Sequence, residues 1–459
     1  MLDEFVDRGT ETTERRDGES DPHGGTTRTV VRVSVVGLDT FALFVTVDGA
    51  DAIEILGRDA RRLVGALLLV VAPASESGQC LLDCSHVTSF TLDTLGTTGG
   101  GVAAHTFMPY PVPGVSMRVA VLSPDLELTL EERDRPTPKA DELLVRMRSI
   151  GICGSDVHYY EHGRIGNYVV DSPLILGHES AGDVVAVGAD VDDSRVGDRV
   201  TLEPGVPCRR CEHCVRGEYN LCPDVTFMAT PPDDGAFAEY VAWPADFAYT
   251  LPDEVSLDEG ALVEPLSVGI HVARRADVDV GDSVLVTGCG PIGLLVMEAV
   301  RAAGATDVIL SDVVPEKLAL ADERGADVTV DVSETDLRAA VDDATDGRGV
   351  DVVVEASGAP SAVQGAFDAV RRGGSVVLVG LAPDGEVPLD TNEIIDNELD
   401  VFGSFRYRNT YPAAIDLLAD DAVDVEGIVD FEADLADVDS AFQRAQAPET
   451  VKGMIRLDE

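Results

Sequence analysis

The chain has 459 residues, 45% of them hydrophobic, which is enough for two or three domains with sizeable cores. Its 84 acidic against 34 basic residues leave a net charge of −50, which repels nucleic acid and anionic membranes and removes both as default partners. No apolar run reaches the roughly 18 residues of a membrane span; Leu63 to Ala74 comes nearest and is too short.

Lys139, Lys317 and Lys452 are the only lysines, so the remaining basic residues are arginines. The acidity is spread through helices and turns rather than gathered in a tail. It reads as the surface of a cytoplasmic protein that works at very high salt, where self-repulsion is screened within a few ångströms.

Residues 1–28 are polar and charge-rich, as expected of a mobile terminus. Val30 to Val36 and Phe41 to Val47 have strand composition, and Thr94 to Gly101 is a turn-rich stretch with three successive glycines. Cys80, Cys84 and His86 match no metal-ligand spacing and read as unrelated residues. Only 16 of the 84 acidic residues fall in the first 116 positions, a weaker share than in the remainder. From Met117 the text changes, and MRVAVLSPDLEL looks like the first strand of a domain. Residues 1–116 therefore read as an N-terminal extension, disordered or outside the functional protein.

Next come Gly151-Ile152-Cys153-Gly154-Ser155-Asp156 and Gly177-His178-Glu179. Alone, each is ordinary, since buried cysteines and core histidines are common. Together Cys153, His178 and Glu179 supply a thiolate, an imidazole and a carboxylate, and three protein ligands with one open position make a catalytic zinc site. Glu264, in Val263-Glu264-Pro265-Leu266, is a further carboxylate in an otherwise apolar segment. Between them, EPGVPCRRCEHCVRGEYNLCP places Cys208, Cys211, Cys214 and Cys222 at spacing C-x2-C-x2-C-x7-C. Four thiolates on short, turn-rich spacers suit a closed, tetrahedral, structural zinc site. A pair of disulfides is the competing reading, disfavoured in a long chain that shows no secretory leader.

Further on, Ser283 to Thr287 is a β-type run leading into Gly288-Cys289-Gly290-Pro291-Ile292-Gly293, and the helical pattern LLVMEAVRAAGA follows. The first glycine permits the tight turn, the second lets backbone approach a pyrophosphate, and the third lets helix and strand pack closely. Pro291 suits the first helical turn. Asp312 closes the next strand, DVILSD, 19 residues beyond Gly293. A carboxylate there accepts hydrogen bonds from a ribose and repels a 2′-phosphate, which favours NAD over NADP. The runs at 350–357, 374–380 and 398–405 continue the β/α alternation, which predicts a doubly wound parallel sheet. A helix near Val438 to Gln446 and the strand VKGMIRL close the chain.

These motifs carry a family resemblance. GHESAGDVVAVGADV is similar to the pattern G-H-E-x2-G-x5-G-x2-V of the zinc-containing medium-chain alcohol dehydrogenases, and the four-cysteine loop resembles their structural-zinc lobe. More narrowly, GICGSDVHYYEHGRIGNYVV, EPLSVGIHVARR and FRYRNTYPAAI resemble the sorbitol and xylitol (polyol) dehydrogenase branch. The likeness runs from Met117 to the C-terminus and says nothing about residues 1–116.

The resemblance implies an α/β protein: a Rossmann-type doubly wound parallel sheet plus a mainly β, GroES-like catalytic domain with a structural-zinc lobe. The expected division is 117–270 catalytic, 271–417 NAD-binding and 418–459 returning to the catalytic domain. Two zinc ions per chain and NAD are implied, in a homotetramer or homodimer. Cys153, His178 and Glu179 stand as catalytic-zinc ligands. Glu264 faces the metal directly or through water, and which glutamate is the closer ligand stays open. Tyr159, Arg406 and Tyr407 match polyol-contacting positions, and Ser155 and His158 match proton-relay positions. Ile292, Asp312, Lys317, Val379, Leu381, Phe405 and Arg406 join Gly288, Gly290 and Gly293 on the NAD side. Lys317 stands where related enzymes have arginine, keeping the charge but losing the planar fork.

The chemistry so implied is oxidation of a small polyol, of the xylitol or sorbitol class, to its 2-keto sugar. Zinc lowers the pKa of the substrate hydroxyl, and the alkoxide expels hydride directly to the nicotinamide. The rival enzymatic expectation is the same chemistry on an aldose, a vicinal diol or L-threonine. A zinc- and NAD-binding structural protein is the non-enzymatic one, and the intact Cys153, His178, Glu179 and Glu264 set speaks against it.

Overall fold

A computed structural model describes residues 31–36, 41–47, 53–57, 116–382 and 385–457. The run Leu63 to Ala74, the turn Thr94 to Gly101, and Cys80, Cys84 and His86 lie outside these residues, as do positions 1–28. The chain divides into two compact units between Thr97 and Thr98. In the first, the two expected strands form, as Val31–Val36 and Phe41–Val47, and Ile53–Gly57 joins them in an antiparallel sheet. Valine-rich runs favour the extended backbone because β-branched side chains lose little freedom there.

The second unit holds two large sheets. One is parallel, with strands in the order Val328–Asp331, Asp307–Asp312, Ser283–Thr287, Val350–Glu355, Val370–Leu378 and Asp400–Gly403. Its first strand in sequence, Ser283–Thr287, lies centrally, so the winding reverses at the carboxyl end of that strand, where such sheets bind dinucleotides. Ser283–Thr287 and Val350–Glu355 are buried along their whole length, as expected of strands covered on both faces. Val370–Leu378 starts four residues before the predicted run because Val370 already pairs with Val350, ahead of a register irregularity.

The other sheet is mainly antiparallel, in the order Ala248–Thr250, Arg199–Leu202, Glu179–Val187, Glu142–Ile152, Lys452–Arg456, Val429–Asp434, with Tyr240–Pro244 also pairing with Glu142–Ile152. Two pairings matter for the site. Gly151 faces Glu179 on one side and Met454 on the other. The C-terminal strand therefore sits beside the segment that carries Cys153. A core of Val119, Leu143, Met147, Ile150, Leu176 and Phe237 fills the space beneath this sheet.

The helix Leu257–Ala276 packs against both halves. Ser256 and Glu259 close its N-terminus as a reciprocal capping box. A Cβ at Gly269 would lie 2.6 Å from the Leu295 carbonyl, so the crossing with the helix Pro291–Ala303 requires glycine. Pro265 lies inside this helix, directly after Glu264, and its missing N–H breaks one rung of the helical ladder beside the site. Among the described residues, no helix is long and apolar enough to cross a membrane.

Candidate active site

Asp156 ties two of the sequence motifs together. Fully buried, it accepts from the Cys153 N–H at 3.1 Å through one oxygen and from the Gly177 N–H at 3.0 Å through the other. Cys153 thus caps the helix Gly154–His162, and His178 follows Gly177 into the same pocket. The ligand atoms of Cys153, His178 and Glu179 lie within 4.8 Å of one another. Glu264 is not part of that mutually close set, although its charge is felt there.

Lys452 supplies the group that sequence reasoning missed. Its buried ammonium donates to both Glu179 carboxylate oxygens at 2.7 Å and to the Ile152 carbonyl at 3.2 Å. Burial alone would lower its pKa, but Glu179 and Cys153 hold it above the ordinary value. His178 behaves alike: burial opposes its charge, yet Asp156 and Cys153 raise it well above the usual imidazole range. Both shifts trace to the acidic neighbours Glu179, Asp156 and Cys153. His178 Nδ1 is buried without a hydrogen bond among the described residues, 3.5 Å from Asp156. A thiol, an imidazole and a carboxylate converging in such a field fit a zinc ion.

Glu264 projects from the broken helix and accepts from the Tyr407 hydroxyl at 2.7 Å. Burial, with the nearby Glu179 charge, holds its carboxyl above the usual range, against the pull of His178 and Tyr407. The Arg406 guanidinium stacks 3.8 Å over the Phe227 ring and 4.8 Å over that of Phe405. Its Nη1 is buried with no partner among the described residues. Tyr159 is buried and close enough to Arg406 and His178 to feel both; burial pushes its phenol up to about 12. Seven of the expected residues thus meet: Cys153, Tyr159, His178, Glu179, Glu264, Arg406 and Tyr407. Ser155 and His158 share the helix Gly154–His162; His158 is exposed and stands edge-on to His162, 4.6 Å between centroids.

The four remaining expected ligands form a separate lobe. Cys208, Cys211, Cys214 and Cys222 also lie within 4.8 Å of one another. The Sγ–Sγ distances are 3.3 Å for Cys211 to Cys214 and 3.9 Å for Cys208 to Cys214. Those are too long for a disulfide and bracket the roughly 3.8 Å separation of thiolates arranged tetrahedrally around zinc. Backbone N–H groups of Arg210 and Cys211 lower the Cys208 thiol, whereas burial raises that of Cys214.

In the parallel sheet, Gly288 has φ +97°, and a Cβ on Gly293 would lie 1.8 Å from the Gly288 carbonyl, so helix and turn approach too closely for any side chain. Gly290 caps the helix that begins at Pro291. Asp312 accepts from the Cys289 N–H at 2.6 Å and from the N–H groups of Val313 and Val314 at 2.7 and 3.0 Å. It is therefore fixed at the glycine turn. Lys317 and Val379 are half-buried, Ile292 packs on the sheet's core, and Leu381 and Phe405 are exposed.

Two family models match the chain: an alcohol dehydrogenase GroES-like domain over residues 139–253 and a zinc-binding dehydrogenase over 291–420. Sorbitol dehydrogenase from Bacillus subtilis is 46% identical over 338 residues, covering 74% of this chain and 96% of that protein. Sorbitol dehydrogenase from Gallus gallus is 44% identical over 334 residues, covering 72% and 94%. Among solved structures, an Escherichia coli oxidoreductase/dehydrogenase of unknown specificity superposes with a TM-score of 0.72 at 38% identity, covering 75% of this chain and 100% of that one.

Proposed function

This chain belongs to the zinc-containing medium-chain alcohol dehydrogenase family, in its polyol branch, and from that premise we propose that it oxidises a xylitol- or sorbitol-class polyol to the 2-keto sugar with NAD. One C–H hydride passes to NAD, one hydroxyl proton is released, and a ketone and NADH result. The observation that carries the substrate reading is the meeting of Tyr159, Arg406, Tyr407 and Glu264 beside Cys153 and His178. Several donors around one cleft have little use for a simple apolar alcohol, and a pocket built to bond several hydroxyls rejects substrates that lack them.

Held by Cys153, His178 and a glutamate, zinc would acidify the reacting hydroxyl by several units while NAD takes the hydride. The protein's own groups do the rest. Glu179 stands nearest the cysteine and histidine, with Lys452 fixing both its oxygens. Glu264 serves from the cleft side, its orientation set by Tyr407. Stacking on Phe227 limits the directions Arg406 can take, so it offers its N–H groups to the substrate at small entropic cost. The glycine turn receives the pyrophosphate at the helix N-terminus, and Asp312 receives the ribose.

The same reading assigns a second, structural zinc to the four cysteines and proton relay to Ser155 and His158. It keeps residues 1–116 as an extension, 117–270 and 418–459 as catalytic, and 271–417 as NAD-binding. It also makes the protein a cytoplasmic, salt-adapted homodimer or homotetramer. The test is NADH formation in concentrated KCl over xylitol, sorbitol, glucose, butanediol, threonine and ethanol. Strong turnover of xylitol or sorbitol, lost on chelation, is expected. Activity confined to the other alcohols would overturn the assignment of Arg406 and Tyr407.

A further inference from the structure

Arg406 and Asn409 hold left-handed backbone, with φ of 52° and 53°, although neither is glycine. Such conformations persist only where the surroundings over-determine them. Here the surroundings are the metal lobe, 185 to 192 residues earlier in the chain. The Asn220 carboxamide, buried, donates to the Phe405 carbonyl at 2.9 Å. The Asn409 N–H donates to the Tyr219 hydroxyl at 2.7 Å, and its side chain donates to the Gly217 carbonyl at 3.2 Å. Arg408 stands 3.5 Å from Glu218. The Tyr219 hydroxyl is fixed in turn by donating to Glu203 at 2.7 Å, and Tyr249 donates to the other Glu203 oxygen at 2.9 Å.

We propose that the four-cysteine lobe positions the substrate loop: Gly217 to Asn220, lying between the third and fourth thiols, clamp the backbone of 405–409 and so aim Arg406 and Tyr407 into the cleft. What those two side chains bind rests on the polyol reading above. The clamp does not. Among the described residues, the hydrogen bonds and the ion pair from Gly217 to Asn220 go to backbone, or to Arg408 and Asn409, and not to the Arg406 or Tyr407 side chains. Asn220 and Tyr219 are therefore positioning residues. An ion held by Cys208, Cys211, Cys214 and Cys222 would order the turn they sit on, which is joined to the clamp because the Cys222 N–H donates to the Tyr219 carbonyl at 3.0 Å.

The test compares the full chain with Asn220→Asp, which keeps the size and loses the donor, and Tyr219→Phe, which loses only the hydroxyl. Amide exchange of a peptide spanning 405–411 is read by mass spectrometry, with the strand Ser283–Thr287 as internal reference. Exchange of 405–411 is expected to rise roughly five- to tenfold, the factor for one lost net hydrogen bond, with the reference unchanged. In parallel, KM for xylitol should rise several-fold with kcat nearly constant. Cys211→Ser, if it folds, should reproduce both effects. Unchanged exchange at 405–411 in both side-chain variants would overturn the clamp. An unmodified protein that leaves polyols untouched would instead sink the substrate assignment, and the exchange comparison would still decide the clamp.

Discussion

Gly151 shows how a single hydrogen can secure a buried carboxylate. A Cβ there would lie 2.0 Å from Glu179 Oε2, so Gly151→Ala must push Glu179 away from Lys452. Gly151→Ala is expected to keep its fold, bind NAD, and lose turnover together with the zinc of the Cys153 site, as read by metal analysis; full zinc content with full activity would refute this. Lys452→Met leaves a buried carboxylate unpaired and should cost about 3–5 kcal/mol in urea unfolding. Lys452→Arg, which keeps the charge, should recover part of it. Cys153→Ser should abolish turnover while NAD titration stays unchanged. At this scale the sequence was only partly legible. Cys153, His178 and Glu179 stood out because thiol, imidazole and carboxylate are rare chemistry in recognisable motifs. Lys452 did not, because its partner lies 273 residues away and only the sheet register brings them together.

Elements were easier to read than their junctions. Strands such as Ser283–Thr287 and Asp307–Asp312 announced themselves by short apolar runs containing valine and isoleucine, and the glycine fingerprint by local stereochemistry. The helix Leu257–Ala276 was harder, because a proline and a glutamate interrupt its buried face. It also holds His271, whose imidazole is lowered to about 4 by burial, then by Arg408, Arg275 and Arg274. The unfolded chain, near 6.5, takes up that proton first. Stability is therefore lost as pH falls from about 6.5 toward 4. Denaturant unfolding should show a loss of about 1 kcal/mol between pH 7 and 5, after allowance for solvent screening, that His271→Gln lacks. An identical pH slope in both proteins would show that His271 does not set it. Ser256→Ala, which opens the capping box, should cost about 1 kcal/mol at any pH in this range.

Charge governs the whole molecule. A net of −50 imposes a self-repulsion that salt screens, so the melting temperature should climb as KCl is raised from millimolar to molar. Highest stability at low salt would reject salt adaptation. Composition alone supports this prediction, because screening depends on the charge total and not on which residues carry it. The relation of the two halves was not so legible. The expected return of the C-terminal strand to the catalytic sheet rested on resemblance, and the structure places that strand between Glu142–Ile152 and Val429–Asp434.

That placement bears on how the protein is made. The lysine that anchors Glu179 leaves the ribosome 273 residues after Glu179 itself, so Cys153 and His178 emerge long before the group that completes their surroundings. A nascent chain can finish its parallel sheet and glycine turn while the Ser149 to Ile152 end of the strand Glu142–Ile152 still lacks its neighbour on one edge. Chains that stop before Lys452 would carry all the proposed zinc ligands and yet hold Glu179 without its counter-charge. The arrival of Lys452 thus becomes the step that gives the buried Glu179 its counter-charge.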